Sequence, residues 1–106
     1  MRESELESIL VREVRKEGGK AYKWVSPGNA GVPDRIIFFP NGEIYFVELK
    51  ADGGKVSGLQ MTQIRKIRAL GQQATVVRGL GGLIAFFEAI GRKDTARRLK
   101  KEVMPK

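Results

Sequence analysis

Apolar residues recur along this chain with two periods. Leu6, Leu10 and Val14 fall on one stripe four residues apart, Ile9 and Val11 flank them, and Gly18-Gly19 breaks the run, which predicts a helix over about 3–17. Ala21 to Val25 is short and β-prone, a first strand. Ile36 to Phe39 and Ile44 to Leu49 are two further apolar runs separated by Pro40-Asn41-Gly42. Proline and asparagine suit the central positions of a type I turn and glycine the left-handed residue that closes a three-residue loop, so these runs read as a β-hairpin. A second helix is expected over Leu59 to Leu70, with Ile64 and Ile67 inward and Gly71 ending it. Gln73 to Arg78, with Ala74, Val76 and Val77, forms a fourth strand. From Gly82 to Ile90 the apolar positions Leu83, Ile84, Phe86, Phe87 and Ile90 wrap around more than one helical face, which implies either deep burial or contact with a second subunit. Asp94 is placed to cap a last short helix with Ala96, Leu99 and Val103 inward and a basic cluster outward.

The hairpin carries the chemistry. With a three-residue loop Phe39 pairs with Glu43, and cross-strand partners keep a constant sum of residue numbers, so Phe38 faces Ile44, Ile36 faces Phe46 and Asp34 faces Glu48. Glu48 and Lys50 then share one face of the third strand, while Tyr45, Val47 and Leu49 take the other. A two-residue loop would shift the register and put Asp34 on the opposite face. Two carboxylates held together raise one another's pKa unless a cation lies between them, and Mg²⁺ or Mn²⁺ takes oxygen ligands of this kind. A lysine beside them can meet a phosphate oxygen or position an attacking water. The pattern points to metal-dependent phosphodiester chemistry. A lone E-x-K on a strand is otherwise an exposed ion pair; the preceding Pro33-Asp34 and the register separate this case from that one.

At 106 residues the chain makes one small domain without repeats. It has neither cysteine nor histidine, so disulfides, thiolate or histidine zinc sites and histidine-based triads are excluded. No apolar run has the length to span a bilayer and the N-terminus is charged, which makes the cytoplasm of a bacterial host or phage-infected cell the expected location. Net charge is +8, from 20 Lys+Arg against 12 Asp+Glu. The segment from Arg92 to Lys106 is strongly cationic and would attract a polyanion in a salt-dependent way; a solvated tail or an anionic membrane surface fits the charge alone equally well.

Several other positions have two readings. Glu7 lies three, four and seven residues from Leu10, Val11 and Val14, so its carboxylate is turned toward the protein body; it either completes a metal site, directly or through water, or pairs with an arginine, and Glu3 one turn earlier competes for the same role. Trp24 either stacks on a base or fills core. Ser26 to Gly31 is a lean loop that lets a polyanion approach the backbone or simply connects two elements. Lys55, in the flexible stretch after Lys50, is placed to meet phosphate, and Gln60 falls in the first turn of the second helix, where it holds a water or phosphate or is merely solvated.

The order helix, three strands, helix, strand, with Val32-Pro33-Asp34 and Glu48-Leu49-Lys50 on the second and third strands, resembles the PD-(D/E)XK nuclease superfamily. Lys23-Trp24-Val25-Ser26-Pro27-Gly28 running on to Gly31-Val32-Pro33-Asp34-Arg35, then Val47 to Lys50 and Leu59-Gln60, is similar to its virus-type replication-repair nuclease (VRR-NUC) family over roughly residues 3–77. The resemblance implies a restriction-endonuclease-like core, a small mixed sheet flanked by helices, over about 3–78, with a helical, basic extension over about 79–106. It further implies that Asp34, Glu48 and the Leu49 carbonyl bind Mg²⁺ or Mn²⁺, that Lys50 orients the water, and that Glu7 and Gln60 match the family's helix glutamate and glutamine. Lys23, Ser26, Arg35, Lys55, Arg97, Arg98, Lys100 and Lys101 are the candidate DNA contacts. The implied reaction is hydrolysis of DNA, most simply of branched DNA by a homodimer of the Holliday-junction-resolving type, with flap-, nick- or end-directed cleavage as the alternative. A non-catalytic nucleic-acid-binding module and a small RNA-binding protein are the competing classes; the latter is disfavoured because the aromatic residues sit in apolar runs and promise no exposed stacking platform.

Overall fold

The computed structural model describes residues 1–103, with the Val103 side chain left aside. Its elements run α1 (Glu3–Lys16), β1 (Lys20–Lys23), β2 (Arg35–Phe38), β3 (Ile44–Lys50), α2 (Gly58–Ala69), β4 (Gln73–Arg78), α3 (Gly79–Ala89) and α4 (Lys93–Val103). The α/β class and the element order agree with the sequence reading. The four strands form one sheet in the order β1-β2-β3-β4. The first three are antiparallel neighbours and β4 lies parallel to β3, a connection that needs the crossover supplied by α2.

The hairpin closes as its turn residues dictate. Phe39 N–H donates to the Glu43 carbonyl at 3.0 Å, Gly42 N–H to the Phe39 carbonyl at 3.1 Å, and Gly42 takes the left-handed conformation at φ 87°. Phe38 then pairs with Ile44, Ile36 with Phe46 and Arg35 with Val47. The ladder stops there. Two pairs further, beyond Asp34 and Glu48, the register sets Leu49 opposite Pro33, whose nitrogen carries no hydrogen to give to the Leu49 carbonyl.

Alternation along the strands builds two cores, one on each side of the sheet. On one side Ile37, Tyr45, Val47, Leu49 and Val77 pack with Leu6, Leu10 and Val14 of α1, Leu83, Phe86 and Phe87 of α3, and Ala96 and Leu99 of α4. On the other, α2 sets Ile64 and Ile67 on Ala74, with Trp24, Phe46, Met61 and Val76 around them. Trp24 is half-buried, its ring 5.4 Å from that of Phe46, so it packs against this core.

One element differs from expectation. The helix expected from Gly82 begins at Gly79, directly after β4: Gly79 is left-handed (φ 59°), and a Cβ there would fall on the Asp52 carboxylate, which lies against the start of α3 where an acidic group complements the helix dipole. The apolar faces of α3 are largely consumed within the chain, Leu83, Phe86 and Phe87 inside the core and Leu80, Ile84 and Ile90 packed against it, so the wrap-around pattern reflects deep burial. The basic segment after Arg92 is likewise structural up to Val103. Thr95, Ala96 and Leu99 of α4 are buried, and Arg98 reaches Glu13 of α1 at 3.1 Å.

Candidate active site

Asp34 and Glu48 meet where the ladder is interrupted. Asp34 lies just before β2, its carbonyl accepting from Trp24 N–H at 2.9 Å, and its Oδ2 accepts from Leu49 N–H at 2.9 Å in place of the absent strand partner. Glu48 is 2% exposed. Its Oε2 accepts from Gln60 Nε2 at 2.9 Å and lies 3.5 Å from Lys50 Nζ, whereas its Oε1 is buried without a partner among the described residues. Burial above all, and then the charge of Asp34, push the Glu48 carboxyl up to about 7; Lys50 opposes them, and Glu3 adds to the rise. A buried carboxylate oxygen with no donor, next to a second carboxylate, is what a divalent cation would satisfy. The donor set is all oxygen, which suits Mg²⁺ or Mn²⁺.

Gln60 is aimed by its own helix. It is the third residue of a capping box in which Gln60 N–H donates to Ser57 Oγ at 3.1 Å and Gln60 Oε1 accepts from Ser57 N–H at 2.9 Å. With its carbonyl oxygen so engaged, the amide presents its NH₂ to Glu48. The helix start is held against the Ser26–Gly31 loop: Gly31 (φ 87°) lies so close that a Cβ there would approach the backbone of Leu59 and Gln60 to 2.7–2.9 Å, and Gln63 Nε2 donates to the Ala30 carbonyl at 3.3 Å. The lean loop therefore positions α2.

The other candidates are distributed more widely. Glu7 turns to Arg35, 3.3 Å away, and no group of three acidic ligands forms among the described residues. Of the two candidate glutamates on α1, Glu3 and Glu7, it is Glu3 whose charge adds to the rise at Glu48. Arg35 also donates to the Ala21 carbonyl at 3.0 Å and is largely buried between α1 and the sheet, which leaves little of it for a DNA backbone. Ser26 is engaged by Asn29 at 3.0 Å. Lys23 and Lys55 are exposed. On α4, Arg98 pairs with Glu13, Lys100 with Glu88 at 2.9 Å and Arg97 with Asp94 at 3.1 Å; Lys101 is exposed and without an ion pair among the described residues.

The model of the VRR-NUC domain matches residues 2–80. The chain belongs to the VRR-NUC family. A phage relative, "Putative nuclease p44" of Acyrthosiphon pisum secondary endosymbiont phage 1, is 52% identical over 77 residues, covering 73% of this chain and 83% of the relative. A solved structure described as a VRR-NUC domain superposes with a TM-score of 0.77 at 25% identity, over 81% of this chain and 94% of the other. A second, a VRR-NUC domain protein, gives 0.53 at 20% identity over 78% and 84%. The VRR-NUC assignment makes the chain a nuclease, and its match spans every element from α1 to β4.

Two features escaped the sequence reading. Glu13 is fully buried, gripped by Arg12, Lys16 and Arg98 at 2.9–3.1 Å; its position three residues after Leu10 and seven after Leu6 already put it on the buried stripe. Tyr22 and Phe38 are 50% and 42% exposed and pack edge to face at 5.8 Å, so an exposed aromatic surface does exist. No tight turn joins β1 to β2, so the register that brings them onto one face had no local signal in the chain.

Proposed function

We propose that this VRR-NUC protein is a metal-dependent, structure-selective DNA endonuclease, of the Holliday-junction-resolving type and acting as a homodimer. The observation that carries the hydrolytic reading is the partnerless, buried Glu48 Oε1 beside Asp34. Asp34, Glu48 and the Leu49 carbonyl, which Pro33 leaves without a ladder donor, would hold Mg²⁺ or Mn²⁺. Bound there, the ion would lower the pKa of the attacking water and offset charge building on the phosphate. Gln60 fixes the Glu48 carboxylate by donating to Oε2, so that Oε1 is the oxygen left for the metal. Lys50, on the same strand face, orients the water and meets a phosphate oxygen. Hydrolysis would leave a 5′-phosphate and a 3′-hydroxyl. Two symmetric cuts in a four-way junction call for two sites related by a twofold axis, which is the ground for the dimer.

The test is cleavage of a labelled panel comprising four-way junction, 5′ flap, splayed arm, nicked and plain duplex and single strand, in Mg²⁺ and Mn²⁺, with Glu48→Ala as control. Paired symmetric cuts in the junction, absent from the variant, are the expected result. Cutting confined to flaps, nicks or ends would keep the chemistry and replace the junction by those substrates. DNA binding with no cleavage of any substrate in either metal would end the hydrolytic reading in favour of a non-catalytic module.

A further inference from the structure

The face of the sheet that bears Glu48 is only half covered. α2 packs over Phe46, Ala74 and Val76, on the β3–β4 half. On the β1–β2 half the same face presents Lys20 and Tyr22 of β1, Ile36 and Phe38 of β2 and Ile44 at the start of β3, in register as Lys20–Phe38–Ile44 and Tyr22–Ile36–Phe46. Tyr22 is 50% exposed, Phe38 42% and Ile44 37%. Lys20 Nζ stands 4.7 Å from the centre of the Tyr22 ring. The next row along the strands is that of Trp24, Asp34 and Glu48, so the open surface begins two residues, roughly 7 Å, from the carboxylates.

We infer that this open half-sheet is a stacking platform for unpaired nucleotides flanking the cut phosphodiester, with Tyr22 and Phe38 taking bases and Lys20 a phosphate. The inference rests on the nuclease reading for where the scissile bond lies. Charge selects the occupant. Between Lys20 and Ala89 the acidic residues are Asp34, Glu43, Glu48, Asp52 and Glu88, and neither β1 nor α2 contains one, whereas α2 carries Arg65, Lys66 and Arg68. On the open half itself no carboxylate stands between Ile44 and Glu48, and among the described residues Lys20 has no ion pair. A second copy of the chain meeting this patch about a twofold axis would bring Lys20 and the cations of α2 toward their own images, while a polyanion meets complementary charge. Exposed rings on a sheet, flanked by lysine, suit bases, each of which offers a π-face regardless of sequence. A nuclease that selects branched or flapped DNA needs a means of holding the strand where pairing ends, and this surface adjoins the site on the same face.

The experiment measures binding of labelled oligothymidylate and of a labelled plain duplex by fluorescence anisotropy in EDTA, for the wild type, Tyr22→Phe, Lys20→Ala and the double variant Tyr22→Ala/Phe38→Ala. Melting curves confirm that these surface variants fold. The double variant should bind oligothymidylate about tenfold or more weakly and duplex within about twofold of wild type, Tyr22→Phe should be neutral, and Lys20→Ala should flatten the salt dependence. Equal loss on duplex and oligothymidylate, or no loss on either, overturns the platform. So does a wild-type dimer that becomes monomeric in the double variant with oligothymidylate affinity unchanged, which would give the face to a second copy. The cleavage panel separates the two readings. A wild type that cleaves nothing while the double variant loses single-strand binding sinks hydrolysis and supports the platform, whereas metal-dependent cleavage with unaltered oligothymidylate binding sinks the platform alone.

Discussion

Glu48 is held where its charge is disfavoured. Burial and the neighbouring Asp34 raise its pKa to about 7 from the ordinary 4.5, so the folded protein keeps a proton that the unfolded chain has already released. Between those two pH values the native state binds more protons, and stability therefore falls as pH rises. At about 1.4 kcal/mol for each pH unit, the full loss is about 3 kcal/mol by pH 8. Glu48→Gln keeps the shape and drops the charge. In EDTA it should melt above the wild type at pH 8, with the gap closing toward pH 4; Mg²⁺ should raise the wild-type melting temperature and leave the variant unmoved. A wild-type melting temperature that tracks the variant's across this range would refute the argument. The proximity of Asp34 and Glu48 was legible from the turn alone, because a three-residue loop fixes every pair outward from it. The aim of Gln60 was not. The capping box with Ser57 is local, but no spacing in the chain encodes that Glu48 lies beside the amide NH₂ which that box leaves free.

At the scale of elements, the site is an alignment of one hairpin with one helix start, and Gly31 sets the distance between them. Its left-handed backbone and its contact with the Leu59 and Gln60 backbone leave no room for a side chain. Gly31→Ala should lower stability by about 1–3 kcal/mol through backbone strain, with the added Cβ pushing the α2 start outward. Activity should fall by more than stability explains, because Gln60 moves with the helix. Cleavage rate and melting temperature measured together check this: a rate unchanged in folded Gly31→Ala protein would show that the loop is only a connection. The helix and strand assignments followed from periodicity, with boundaries off by at most three residues. The larger shift was at α3, whose start reads as a glycine-rich break until Asp52, distant in sequence, is seen to lie against it. Burial of that helix was also ambiguous in sequence, since a stripe that wraps a helix does not say whether its own chain or another covers it.

For the molecule as a whole, the cationic C-terminal segment is part of the fold up to Val103. The sequence left its role open between a tail and a binding arm, and the ambiguity was physical: Ala96 and Leu99 are few, and their partners on α1 lie far away in sequence. Deleting residues 92–106 removes buried Thr95, Ala96 and Leu99 and strands the fully buried Glu13 without Arg98, so the truncated protein should melt far below the full chain. Its DNA affinity would then report unfolding rather than contact. Lys93, Arg97 and Lys101 recur every fourth residue on the exposed side of α4 and leave the core untouched. Their replacement by alanine should preserve melting and reduce the slope of log affinity against log salt by about 0.9 for each that meets a phosphate; an unaltered slope would show that α4 faces away from the nucleic acid. The same competition between architecture and task is concentrated at Pro33. A residue with an N–H there would close one more rung of the sheet and claim the Leu49 carbonyl for it. With the Leu49 carbonyl proposed as a metal ligand, a more robust sheet and an open ligand make opposite demands on this position, and proline meets the second.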